Sequence, residues 1–304
     1  MRENAKDILI NKAISLFNAG QIKQCLKESL RVRKKYPEEP FIYNLLGVLY
    51  AHNESYEDSI KNYSKALKLN PNYIEAYNNI GVAYTSWKKI NKAIEFFDKA
   101  IKINPSYAEA YNNKGNALKV KGEYQRAAEC YKESINLDPN FTDAITNLGI
   151  IWDLMNDFIK SERYFRQALT QDPRNTSTLY NLANCLFNAR QYNKTIEVCE
   201  KIIDLDRSFY HAYNRIGLCH IRLEDEERAI EFFQESIKIK PDYLEGLTNY
   251  GFALQKLKNY SLAAIQFEKV LSSNPRSEEA FVNLTKVYFE DGRILKAIEV
   301  ARQG

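Results

Sequence analysis

The sequence predicts an all-α protein built from about nine helix-turn-helix units of 34 residues, and three observations predict it. Seven of the eight prolines (Pro37, Pro71, Pro105, Pro139, Pro173, Pro241 and Pro275) stand at multiples of 34 from one another. Small residues recur at two further phases of the same period. Between them, apolar residues follow the spacing of two amphipathic helices at 3.6 residues per turn.

With each proline at position 32, the units begin near Lys6, Pro40, Ile74, Ala108, Thr142, Thr176, Tyr210, Leu244 and Glu278, and one array occupies 1–304. The first helix of each unit turns positions 4, 7, 8 and 11 to one face. Position 8 reads Ala13, Gly47, Gly81, Gly115, Gly149, Ala183, Gly217, Gly251 and Thr285. A helical glycine costs about 1 kcal/mol against alanine, so its recurrence needs a compensating gain, which close approach of two helices supplies. A polar or glycine turn follows, as at Gly20, Gly122 and Gly292. The second helix places 17, 20, 24, 27 and 28 on one face. Position 24 is aromatic in Tyr63, Phe97, Tyr131, Phe165, Phe233 and Phe267. Asn70, Asn104, Asp138, Asp172 and Asn274 precede prolines; each pair stops a helix, because proline drives its predecessor out of helical geometry. The first unit carries Lys12 and Ser29 at core positions. The ninth reaches Gly304 with Ile294, Ala297, Ile298 and Ala301 still in phase, which raises the expectation of a longer native protein.

Tyr77, Ile80, Gly81, Tyr84, Ala93, Phe97, Ala100 and Pro105 meet the pattern of the tetratricopeptide repeat family, and the resemblance covers nearly the whole chain. It implies a right-handed superhelical solenoid whose first helices line a concave groove. A lone pair of this kind cannot bury its own apolar face, so stability comes from stacking neighbours.

Composition bounds the partners. The net charge is +4, with 27% charged residues of both signs, and the densest basic run is Arg31 to Lys35. That run suits a solvated helix end better than a nucleic-acid surface. Five scattered cysteines without a CxxC pair fit a reducing compartment. The opening residues show no leader and no stretch of 18 apolar residues occurs, so a cytoplasmic protein without membrane contact is expected.

Positions 2, 6, 9 and 13 point away from the predicted core, and position 6 is the most regular. It reads Asn11, Leu45, Asn79, Asn113, Asn147, Asn181, Arg215, Asn249 and Asn283. Asparagine is a poor helix former, whereas its amide offers the donor and acceptor that an extended peptide presents in return. Here the chain resembles the repeat region of O-linked N-acetylglucosamine transferase, where asparagines at this position hold bound polypeptide. The resemblance implies the same of Asn79, Asn113, Asn147, Asn181, Asn249 and Asn283, and less securely of Asn11. The bland alternative is a solvated consensus residue. One hydrogen bond contributes about 0.5–1.5 kcal/mol while ordering a peptide residue costs about 1–2 kcal/mol, so a ladder alone binds weakly and with little sequence preference.

Selectivity then falls to other groove positions. Ser177, Asn184 and Asn188 in the sixth unit, with His211, Arg215 and Arg222 in the seventh, form a polar and basic stretch suited to an acidic or C-terminal segment. Its similarity to a carboxylate clamp is incomplete, since His211, Thr146 and Ile150 stand where that clamp has other residues. Acids at position 2, such as Glu75, Glu109, Asp143 and Glu245, read as support for the helix dipole. Lys114 replaces a core residue, and its stem is expected to pack while its amine reaches outward.

No nucleotide loop, HExxH motif or nucleophile arrangement appears, so neither metal, cofactor nor catalysis is expected. His220 reads as a core histidine, and Asp204 to Asp206 as a degenerate helix end. The function expected is a non-catalytic scaffold for extended polypeptide. The alternative is the N-terminal recognition module of a larger bacterial transferase, of glycosyltransferase or sulfotransferase type.

Overall fold

The computed structural model describes residues 5–304; the reading of the opening as leaderless rests partly on residues 1–4, which lie outside the described residues. Among the described residues the regular elements are eighteen helices, and no helix is long and apolar enough to cross a membrane. Contacts group the chain into two compact units, Met1–Met155 and Asn156–Gly304.

The first unit holds four helix pairs and one further helix. These are α1 (Ala5–Asn18) with α2 (Ile22–Lys35), α3 (Pro40–His52) with α4 (Tyr56–Leu69), and α5 (Ile74–Ser86) with α6 (Ile90–Ile103). There follow α7 (Ala108–Lys121) with α8 (Tyr124–Leu137), and α9 (Thr142–Leu154). Each helix packs on the next, and the first helices of successive pairs also touch, α3 on α5, α5 on α7 and α7 on α9. Alanines at two phases permit that second contact: Ala76, Ala83, Ala110 and Ala117 are at most 2% exposed. The close approach expected at position 8 is present too. A Cβ added to Gly81 would stand 2.5 Å from the Phe97 ring, and one at Gly115 would stand 2.6 Å from Tyr131.

The second unit begins with α10 (Phe158–Gln171) and continues through α11 (Thr176–Asn188), α12 (Tyr192–Leu205), α13 (Tyr210–Arg222) and α14 (Glu226–Ile239). It ends with α15 (Leu244–Lys256), α16 (Tyr260–Ser273), α17 (Glu278–Glu290) and α18 (Ile294–Ala301). Its core repeats the same logic, with Phe233 beneath Gly217 and Phe267 beneath Gly251.

The turn within each pair is more uniform than its sequence. Gly20, Gly122 and Gly292 have positive φ, and so do Glu54, Lys88, Asn156, Arg190, Glu224 and Lys258, at 59° to 61°. A left-handed residue with a Cβ costs about 1–2 kcal/mol, so six turns keep the geometry that glycine would adopt freely. The helix stops follow the proline rule. Asn70 sits at φ −135° and ψ 95°, and Asn104 at φ −132° and ψ 97°. Each side-chain oxygen then accepts from the amide two residues on, at 3.1 Å and 3.0 Å respectively. Asp206 makes the same turn without a proline, accepting from the Ser208 amide at 2.8 Å. The Ser208 hydroxyl, donating at 2.6 Å, and then that amide hold the Asp206 carboxyl below the usual range. Lys114 behaves as its position demands, with a largely covered stem and its amine 2.6 Å from Asp98.

Candidate functional site

The ladder of asparagines occupies the layer in which first helices lie side by side. Parallel helices repeating every 34 residues, offset by one residue, bring residue i opposite residue i+35. In the first unit this register joins position 6 to position 5 of the preceding pair. Asn79 Nδ2 donates to Asn44 Oδ1 at 3.1 Å, Asn113 to Asn78 at 3.1 Å and Asn147 to Asn112 at 3.0 Å. The acceptors are buried: Asn78 is 1% exposed and Asn112 5%. Asn78 in turn donates to Glu109 at 3.1 Å, and that carboxylate also accepts from the Tyr107 hydroxyl at 2.9 Å.

The second unit repeats the network. Asn249 donates to Asn214 at 3.0 Å, and Asn214 donates to Glu245 at 3.3 Å. The Tyr243 hydroxyl donates to Glu245 at 2.9 Å. The position 2 acids therefore do more than favour the helix dipole, for Glu109 and Glu245 tie one first helix to its predecessor. Asn78 and its counterparts, which sequence reasoning left without a role, are the buried half of each rung.

The two breaks in the ladder follow the same register. Leu45 comes 35 residues after Ile10, and both belong to one apolar cluster. Arg215 comes 35 residues after Tyr180, and its guanidinium lies 5.9 Å from that ring centroid and 4.7 Å from that of Phe187. Reading positions 5 and 6 as i, i+35 partners would have revealed every one of these pairs in the sequence.

The expected basic stretch resolves into two groups. Half-buried His211 and Arg215 lie on α13 against aromatic rings. His211 packs 4.1 Å from Tyr210, 5.1 Å from Tyr243 and 5.7 Å from Tyr180. Its Nδ1 is 3.3 Å from the Tyr243 hydroxyl. Burial pushes the imidazole below its ordinary pKa, Glu245 opposes that shift and Arg215 adds to it. Asn188 and Arg222 are exposed at the C-terminal ends of α11 and α13. Asn184 is half-buried with its Oδ1 covered and unpartnered. Asn181 and Asn283 are half-buried rungs of another kind, since neither makes a side-chain hydrogen bond among the described residues. Asn11 is exposed on α1.

The surroundings change sign along the row. A hollow beside Asn112 and Asn113 is lined by Glu109, Asp138 and Asp143, whereas α13 carries Arg215 and Arg222. An apolar groove lies elsewhere, between α17 and α18, lined by residues including Phe281, Val282, Phe289, Ile294 and Ile298 and by no ladder asparagine. His220 is 8% exposed and stacks on Phe232 at 5.5 Å, as a core histidine would. All five cysteines are free, and no cluster of metal-ligating residues occurs among the described residues.

Comparison with known proteins agrees with this architecture. Tetratricopeptide repeat models match residues 74–107, 108–141, 164–197, 210–243 and 244–277, and a TPR repeat model matches 47–86, together well over half of the chain. Among curated proteins, human protein O-mannosyl-transferase TMTC3 is 31% identical over 99 residues, 32% of this chain and 11% of that protein. The chain thus spans only about a tenth of that relative. Among solved structures, YrrB, a TPR protein with an unusual peptide-binding site, matches with a TM-score of 0.52 and 23% identity. That match covers 61% of this chain and 95% of YrrB. Cut9–Hcn1, an APC/C hetero-tetramer, matches with a TM-score of 0.62 and 16% identity, over 93% of this chain and 56% of the other. At such identities these structures speak to the fold alone. Helix pairs of one period, the glycine-on-aromatic contacts and the family matches make the chain a member of the tetratricopeptide repeat family, whose helical repeats serve as protein-interaction scaffolds.

Proposed function

We propose that the chain, acting as one array over 1–304, binds an extended polypeptide along the helix face that carries the position 6 residues. Asn79, Asn113, Asn147, Asn181, Asn249 and Asn283 contact the peptide backbone. Asn184, Asn188, His211, Arg215 and Arg222 select an acidic or C-terminal segment near the sixth and seventh repeats. The observation carrying this reading is the orientation of the bridged rungs. Asn79, Asn113, Asn147 and Asn249 each donate one N–H to the preceding first helix, which leaves the second N–H and, on Asn79 and Asn249, the carbonyl oxygen for a backbone in the groove. The carbonyls of Asn113 and Asn147 each already accept one long bond, from Asn112 and Lys119 at 3.5 Å. A side chain already fixed loses less freedom on binding, which lowers the cost of association.

The test is a peptide array probed with wild type and with Asn181→Ala/Asn283→Ala, which breaks no side-chain hydrogen bond among the described residues. Weaker binding across peptides of unrelated sequence is expected; equal binding by both proteins overturns the ladder as a peptide contact. A second reading, a recognition module within a larger transferase, draws on the 31% identity to 99 residues of an O-mannosyl-transferase. A gene ending directly after Gly304 would eliminate it.

A further inference from the structure

We infer that the array has a second interaction surface, sharing no residue with the asparagine row: the hollow between α2, α3 and α4 takes a short, extended acidic polypeptide segment with carboxylates at alternate residues. The hollow has a volume of about 420 Å³. Arg33 of α2 and Lys61, Lys65 and Lys68 of α4 line it, against the single carboxylate of Asp58. None of the four cations makes a side-chain hydrogen bond or ion pair among the described residues. Two tyrosines of α3 complete the walls. Tyr43 is fixed by its hydroxyl, which donates to the Pro37 carbonyl at 3.0 Å, and Lys65 reaches over its ring at 5.9 Å. The Tyr50 hydroxyl has no hydrogen bond among the described residues and can donate to an incoming oxygen.

A solvated helix face is the ordinary reading of surface lysines, and the other repeats show how that face is normally built. At the place of Lys61 they carry Glu95, Glu129, Glu197, Glu231 and Glu299. In α6 this glutamate pairs with Lys99, one turn on, at 2.8 Å. Helix α4 instead sets Lys61 and Lys65 at the same two places, and like charges four residues apart destabilise a helix. The helix dipole accounts for Arg33 and Lys68, which stand in the last turns of their helices, but not for Lys61 and Lys65. An anionic partner supplies the missing compensation.

Geometry selects the kind of anion. Lys61 to Lys68 covers about 10 Å of helix axis. A single phosphate meets only part of that row. Side chains on one face of an extended chain recur every ~6.5–7 Å, so two carboxylates match it. At the N-terminal end of α4 the sign reverses, because Glu54, Glu57 and Asp58 line the adjoining hollow. A long polyanion such as a nucleic acid would have to cross that stretch, whereas a short acidic segment ends before it. Lys65 is half-buried beside the Tyr43 ring, where its charge is less screened than that of a free lysine.

Lysine footprinting of the 304-residue protein tests this site by site. The protein is acetylated in the presence of an amidated peptide alternating glycine and aspartate, or glycine and asparagine, and each lysine is followed by mass spectrometry. The aspartate peptide should slow acetylation of Lys61, Lys65 and Lys68 severalfold, at a concentration about tenfold below that at which the asparagine peptide has any effect. Exposed Lys201 and Lys269, in the second unit, should be unaffected. Lys61→Gln should raise the concentration that half-protects Lys68 severalfold, and Asp58→Asn should lower it, so the test does not rest on loss alone. Equal protection by the two peptides, or protection of Lys68 unchanged in Lys61→Gln, overturns the site. Anisotropy showing a preference for the aspartate peptide while Lys61, Lys65 and Lys68 stay reactive places acid binding in the asparagine groove, which sinks this inference and leaves that reading standing. Protection of the same lysines by an oligothymidylate at lower concentration than by the aspartate peptide makes the hollow a nucleic-acid surface and likewise refutes the proposal.

Discussion

Replacing Asn113 by alanine should destabilise the protein, and replacing Asn283 should not, although the two occupy the same position of the repeat. Asn78 is 1% exposed, its Nδ2 donates to Glu109 at 3.1 Å, and its Oδ1 accepts from Asn113 at 3.1 Å. Asn113→Ala strands that buried carbonyl, a loss of about 1–3 kcal/mol. The better helix propensity of alanine returns up to about 0.7 kcal/mol. Asn283→Ala breaks no such bond, so only the propensity gain and a surface-sized change of within about 0.5 kcal/mol remain. The chain also carries an apolar pair at the same register, Ile10 and Leu45, within one cluster. Asn78→Ile/Asn113→Leu should therefore recover much of the loss, with a coupling of about 0.5–3 kcal/mol between the two sites. Glu109 keeps the Tyr107 hydroxyl in that variant. Urea unfolding followed by circular dichroism measures the change, and amide exchange in α5 and α7 localises it, because a repeat array can open in parts. Equal midpoints for Asn113→Ala and Asn283→Ala, or a double variant no more stable than Asn113→Ala alone, would refute the register.

Gly81→Ala should cost about 1–3 kcal/mol by overpacking against Phe97, 2.5 Å from the added Cβ, and Phe97→Leu should restore part of the urea midpoint. Glu224→Gly should raise the melting temperature, since φ 60° costs a residue with a Cβ about 1–2 kcal/mol and glycine's extra chain entropy about 0.5–1 kcal/mol. His211, beside Arg215 and Glu245, the rings of Tyr180 and Tyr210 and the Tyr243 hydroxyl, should titrate below 6.5 by proton NMR. The unfolded chain then binds the proton more readily, so stability holds above 6.5 and falls as pH drops through that value. His211→Gln should flatten this step, and a midpoint at or above 6.5 overturns the account. Cys130 should react first with a thiol reagent at pH 8, because Cys25, Cys185, Cys199 and Cys219 are buried and Cys130 is half-exposed. Simultaneous labelling of all five would contradict the packing.

Much of this was legible because a solenoid writes its contacts at a fixed period. Proline at position 32 and glycine opposite an aromatic ring each report a contact within one repeat or between neighbours, and nine copies make the phase unmistakable. The left-handed turns were less legible, for Lys88 and Glu224 carry no compositional mark of positive φ; their geometry is imposed by the helices they join. The buried half of the rungs was missed for a different reason. Single-helix periodicity sorts positions by face, and it leaves the asparagine at position 5 without an assignment. Its burial depends on a neighbouring first helix one residue out of phase, which only a comparison at i, i+35 exposes. The same comparison places Tyr180 opposite Arg215, a packing partner that single-helix periodicity does not show.

The two uses of the ladder are compatible, and their overlap determines which variants can tell them apart. A bridged amide spends one of two N–H groups on the preceding helix, so the bond that fixes the repeat register also fixes the side chain that would meet a ligand. Loss of Asn147 removes both at once: Asn112 loses its donor, and any peptide loses its contact. A fall in binding by Asn113→Ala/Asn147→Ala therefore says little about recognition, because the neighbouring first helices shift together. Asn181 and Asn283 carry no internal bond among the described residues, so a change there acts on the ligand alone. They flank Arg215 and Asn249 on successive first helices of one compact unit. If the groove is read by polypeptide, its strongest separable signal lies with the open amides of Asn181 and Asn283, and not in the more regular asparagines that first suggested it.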